Sequence, residues 1–248
     1  MPTPHKTLFL GFETHSTEKI QEALAAGIDV NALIDGKTPL TWLVEMYLRA
    51  PKFSDCVRCL MQAGARCPDT ALLAVLLDDA ELLGAELRKN PSLVDHQVDI
   101  RCAFTPLLGA SLLHVAAEYG LVRAATTLLE AGADVEAKAA VDDYGFNGHT
   151  PIFHTVCQRG NHCQPVLRVL LEHGAKADIR LAGITWGKSF EWETTIFDAT
   201  PVSYAQAGLL PQIGRDERDL YENIRLLAKA SGRVLPEELN VPNKYINF

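Results

Sequence analysis

The densest group of side chains able to hold a metal or move protons lies between positions 149 and 163: His149, His154, Cys157, His162 and Cys163. A zinc site needs three or four such ligands converging on one point at about 2.0–2.3 Å. The local pattern predicts that His149 precedes a helix of about ten residues and that His162 and Cys163 follow it, which sets the two ends about 15 Å apart. His154 and Cys157, at i and i+3, share a helix face, and two ligands do not close a zinc site. Cys56-Val57-Arg58-Cys59 has the C-x-x-C spacing of redox and zinc motifs. It lacks a second such pair and a surrounding βαβ pattern, so both thiols read as helix packing positions. Asp142 and Asp143 are adjacent on an expected extended loop, where neighbours point in different directions, so they are poorly placed for shared acid–base work. The sequence also lacks a G-x-S-x-G elbow, an H-E-x-x-H pair and a Gly-rich phosphate loop. These residues point to no catalytic, metal or cofactor site, and the expected class is a binding protein rather than an enzyme.

Composition narrows the partner. The 248 residues are 48% hydrophobic and 22% charged, which suits one ordered domain over positions 1–248. A formal net charge of -8 argues against phosphate backbones and anionic lipid surfaces as ligands. The basic residues Arg215 and Arg218 are interrupted by Asp216 and Glu217 and read as a solvated helix start. No stretch approaches the roughly 20 apolar residues that span a bilayer, and Leu8–Phe12 is too short for a signal core. Together with six cysteines and no secretion signal, this leads us to expect a cytoplasmic monomer with reduced thiols.

The elements that must position any site come from an internal repeat. Residues 109–138 read GASLLHVAAEYGLVRAATTLLEAGADVEAK. Ser111 stands where a helix cap belongs, Leu112, Leu113, Val115, Ala116 and Ala117 follow, and Gly120 ends that helix. A second helix with Val122, Ala125, Leu128 and Leu129 at helical spacing closes at Gly132. The same grammar recurs from Gly148-His149-Thr150-Pro151 to Gly174, and from Asp35-Gly36-Lys37-Thr38-Pro39 to Gly64. Threonine caps the orphan amides there, and proline occupies the first helical position, where its missing N–H costs nothing.

These segments resemble ankyrin repeats, whose pattern G-x-T-P-L-H-x-A-A-x-x-G, then L-L-x-x-G-A-D-V-N-A, is matched best by residues 109–138. The resemblance implies an all-α solenoid of about six helix-turn-helix units at 5–34, 35–66, 67–95, 109–138, 148–178 and 198–232. Its last unit and tail are similar to those of bacterial ankyrin proteins. It also implies that His114 braces the turn between neighbouring units and that the chain binds a protein. Asn31 stands at the position some ankyrin proteins offer for hydroxylation and reads here as a turn residue.

Surplus residues collect between units, at 96–108, 139–147 and 179–197, where insertions project from one edge as fingers. Their composition is aromatic and charged. For Trp186, Phe190 and Trp192 two readings stand: they pack down to fix a long hairpin, or they form a contact surface. The expected partner-binding residues are Tyr144, Phe146, Trp186, Phe190 and Trp192, with Glu118 and Tyr119 as scaffold-side neighbours; the alternative is a small-molecule or peptide pocket between the last fingers. Residues 233–248, rich in Pro and Asn, are expected to cap the array with the charged helix that begins near Asp216.

Overall fold

The computed structural model describes residues 3–102, 104–208 and 216–234. Helices pair in order along the chain: α1 (Pro4–Thr14) with α2 (Thr17–Ala25), α3 (Pro39–Glu45) with α4 (Phe53–Gln62), and α5 (Thr70–Leu76) with α6 (Ala80–Lys89). The later pairs are α7 (Leu112–Tyr119) with α8 (Val122–Glu130), α9 (Ile152–Thr155) with α10 (Gln164–Glu172), and α11 (Pro201–Ala207) with α12 (Glu217–Ala230). Second helices stack on one another, α2 on α4 and α6 on α8, α8 on α10, α10 on α12. First helices form the other layer, α5 on α7, α7 on α9 and α9 on α11.

Local chemistry sets the ends of these helices. Thr38 accepts the amide of Thr41 at 3.2 Å and Thr200 that of Ser203 at 3.1 Å, each ahead of a proline in the first turn. Asp69 caps α5 and Asp216 caps α12 in the same way. The closing residues Gly27, Gly64, Gly132, Gly174 and Gly232 all have φ between 67° and 95°, a conformation that places a side-chain-bearing residue under strain.

A side chain just past each of two of these turns ties one unit to the next. Asn31 accepts the Arg66 amide at 2.9 Å and donates to the Gly64 carbonyl at 2.9 Å. Glu136, at the equivalent place later in the chain, accepts the Lys176 amide at 2.8 Å. Asn31 thus works as a connector between turns.

Strands occur only in the fingers among the described residues. β1 (Gln97–Ile100) pairs antiparallel with β2 (Leu107–Ser111), and β3 (Leu181–Trp186) with β4 (Thr194–Ala199). The loop between them closes on itself through a Val141–Asn147 bridge. Backbone bonds link the fingers: the Ala140 amide donates to the Leu108 carbonyl, that of Asn147 to Gly183, and that of Gly187 to Phe104, all within 3.0 Å. Most of the proposed tail, residues 235–248, lies outside the described residues.

One expectation fails on a length. The helix following Thr150-Pro151 is a single turn, Ile152–Thr155, rather than about ten residues. His149, ahead of this turn, lies against His154 within it, Nε2 to Nε2 at 3.1 Å.

Candidate functional site

Helix α7 is buried along its whole length, and its two polar side chains near the C-terminus organise the ground beneath the site. The Glu118 carboxylate receives the Arg49 Nε–H at 2.8 Å, the His154 Nδ1–H at 2.8 Å and the Gln158 amide at 3.2 Å. Burial alone raises a carboxyl pKa; the Arg49 guanidinium and the His154 hydrogen bond reverse this and hold Glu118 below its ordinary value. Arg49 also donates to the Leu48 and Met46 carbonyls, reaches the Cys102 sulfur at 3.1 Å, and lies 4.4 Å over the Tyr119 ring. Tyr119 donates its hydroxyl to the Val44 carbonyl. Arg49 and the two α7 side chains therefore fix the end of α3, the segment after it, and the start of the first finger's turn.

Next to Met46, whose carbonyl that network holds, a cleft of about 750 Å³ opens. One wall comes from α3 and the residues beyond it: Trp42, Met46 and Tyr47. The opposite wall is a continuous set of rings from two fingers. Phe104 stacks on Trp186 at 5.4 Å, Trp186 meets Trp192 at 4.7 Å, and Trp192 stacks on Phe190 at 4.9 Å. Gly187 makes this arrangement possible: its φ is 67°, and a Cβ there would fall 1.8 Å from the Trp192 ring. A cation lies on each wall, Lys37 at 4.6 Å over Trp42 and Arg101 at 4.7 Å over Phe190. Lys37 is also paired with Glu45.

The remaining finger aromatics face elsewhere. Tyr144 is 84% exposed and stacks on Phe146, which meets the 67%-exposed Phe197 of β4 edge-on at 5.5 Å. Phe146 also lies against Gly183, where a Cβ would come within 2.8 Å of its ring. Asp142 shapes this finger by accepting the amides of Tyr144 and Phe146, the Asn147 side chain and Lys188. Partial desolvation raises its pKa, and the Phe146 and Tyr144 amides with Lys188 more than reverse that, so the carboxyl sits below its ordinary value. Asp142 is thus a turn former.

The potential metal ligands take other roles. His114 Nδ1 accepts the Ser111 amide at 3.1 Å and its Nε2–H reaches the His149 carbonyl at 3.0 Å, a brace between successive units. His149 Nε2–H points at the Pro106 carbonyl and at His154 Nε2, an assignment the acceptors require because His154 Nδ1–H is committed to Glu118. Burial lowers His114 to about 3 and takes His149 well below its ordinary value. No group of three or more metal-ligating side chains converges among the described residues. Cys56 and Cys59 are buried free thiols on α4, and burial pushes Cys56 up to about 12.

With this geometry in view, the comparison with known families is specific to one unit. Residues 108–140 match the ankyrin repeat family model. The match covers the α7–α8 pair and the turn after it. No curated protein matches the chain. Ankyrin repeats generally mediate protein–protein interaction. No helix among the described residues is long and apolar enough to cross a membrane.

The structure separates the candidate contact residues into three places. Trp186, Phe190 and Trp192 line the cleft, Tyr144 and Phe146 lie on the outer side of the fingers, and Glu118 and Tyr119 are buried. The last two are 0% and 1% exposed and cannot touch a partner directly. They stand at variable positions of the ankyrin pattern, which suggests exposure; Arg49, sixty-nine positions upstream of Glu118, is what draws the carboxylate inside. Sequence reasoning also missed Trp42, Met46, Tyr47, Phe104 and Arg101 as cleft residues. A charged residue within the otherwise apolar run Leu112–Tyr119 was the available signal for a buried pair.

Proposed function

We propose that the chain is a non-catalytic protein-binding module of ankyrin type, working as a cytoplasmic monomer, that receives a segment of its partner in the cleft between α3 and the finger tips. The observation that carries this reading is the aromatic lining of that cleft, drawn from three separate stretches of sequence. Aromatic side chains in a preformed concavity supply large contact area at low ordering cost, which is why they dominate binding hot spots. Loops held on a rigid scaffold are common recognition elements. The net charge of -8 favours a protein over a nucleic acid or an anionic membrane, and six cysteines in a chain of this length suit a reducing compartment.

Affinity purification with the wild-type chain, repeated with Ala at Trp186, Phe190 and Trp192, tests the reading. Loss of the co-purifying protein from the triple variant is expected; undiminished recovery would move the contact surface elsewhere.

A second reading, capture of a small molecule, is favoured by the volume of about 750 Å³, which lies within the range of ligand pockets. A thermal-shift screen against metabolites separates the two, because a ligand that binds only the native state raises the melting temperature by mass action.

A further inference from the structure

Resting on that reading of the cleft, we propose that its occupant is an acidic-apolar peptide segment: a bulky apolar side chain between the aromatic walls, next to a carboxylate that pairs with Arg101. The charge distribution at the cleft supports this choice. Four charged side chains line it, Lys37, Glu45, Arg101 and Glu193. Lys37 and Glu45 neutralise each other. Glu193 has one carboxylate oxygen engaged by the Ser189 amide at 2.7 Å and forms no ion pair with Arg101 among the described residues. Arg101 is exposed and lies over the Phe190 ring at 4.7 Å, with no carboxylate partner among the described residues.

A guanidinium stacked on a ring has its rotamer freedom already reduced, and it keeps its N–H edge available for a carboxylate. A bulky side chain seated between the apolar walls would displace water from one side of such a pair and strengthen it compared with one on an open surface. The opposite chemistry is disfavoured. A cationic ligand would seek ring faces, and those of Trp42 and Phe190 already carry Lys37 and Arg101. The like charge of Arg101 would also oppose it. Specificity would thus arise from repulsion of basic segments as well as attraction of acidic ones.

The test uses the full chain and three fluorescein-labelled, end-capped nonapeptides with Leu-Phe at the centre, flanked by Glu, Gln or Lys, followed by fluorescence anisotropy. The wild type should bind the Glu peptide about three- to tenfold more tightly than the Gln peptide, and the Lys peptide most weakly. The preference should shrink as salt rises, because an ion pair at the lip is partly screened. Arg101→Gln should equalise the Glu and Gln peptides, and Arg101→Glu should bind the Lys peptide best. Arg101 is exposed, so both variants should keep the wild-type circular dichroism.

Equal binding of all three peptides by the wild type, or a Glu preference that survives in Arg101→Gln, overturns the inference. Binding that Trp186→Ala with Trp192→Ala abolishes would in that case leave the cleft itself standing. Failure of all three peptides to bind, or binding indifferent to the tryptophan substitutions, overturns the cleft reading and this inference with it.

Discussion

Replacing Arg49 by methionine should destabilise the protein by about 3–5 kcal/mol, the range seen when one partner of a buried ion pair is removed. Arg49 and Glu118 have side chains 2% and 0% exposed and meet at 2.8 Å. Methionine fills much of the volume and supplies no charge, so the Glu118 carboxylate keeps the His154, Gln158 and weak Cys102 thiol donors but no permanent cation in a buried site. Stacking on Tyr119 adds to the loss, by about 0.5–2 kcal/mol within the same total. The double variant Arg49→Met with Glu118→Gln removes the orphaned charge and keeps an acceptor for His154. It should recover about 2 kcal/mol or more relative to the single variant. Urea denaturation reads both effects, with the midpoint moving and the slope unchanged if only the native state is affected. A single variant within 1 kcal/mol of wild type, or a double variant that is the sum of two independent losses, would refute the claim that this pair locks the segment after α3 that borders the cleft.

Two further outcomes follow from the same geometry. Gly187→Ala places a methyl 1.8 Å from the Trp192 ring at a φ of 67°, so the ring must leave its stack. The variant should show altered tryptophan emission and weaker partner binding, with a stability loss of about 1–2 kcal/mol from the left-handed backbone; unchanged emission would contradict the stacking. Stability should also fall on acidification. His114 is lowered to about 3, His15 to about 4 and His149 well below its ordinary value, so below pH 6.5 the unfolded chain binds protons that the folded chain does not. Their contribution is fully present above about pH 6.5 and is lost as pH drops, by up to about 2 kcal/mol per histidine between pH 7 and 5. Glu118, held below its ordinary value, adds a loss in the same direction at lower pH. Equal urea midpoints at pH 7 and 5 would exclude buried neutral histidines.

The helix pairs were legible because their signals are local. Ser111, Gly120 and Gly132 mark their own boundaries. The cleft was half legible: the aromatic content of residues 186–192 stood out, while its opposite wall did not. Trp42 sits on α3 and Met46 just past its end, where apolar residues at helical spacing read equally well as core, and only the lean of one finger across to Phe104 and α3 makes them a wall. The contact between His149 and His154 was not legible for a different reason. Its spacing was measured along an assumed helix that in fact ends after one turn. Contacts between units, such as Arg49 with Glu118, depend on stacking that no single repeat encodes.

The central claim is that a partner is held in the aromatic cleft and not on the outer face of the fingers. Photo-cross-linking tests it most directly, with p-benzoylphenylalanine placed at Tyr47, 51% exposed at the cleft, or at Phe197, 67% exposed on the outer face. Mass spectrometry of the complex should find partner peptides cross-linked to position 47 and none to position 197. Cross-links confined to position 197 would contradict the account.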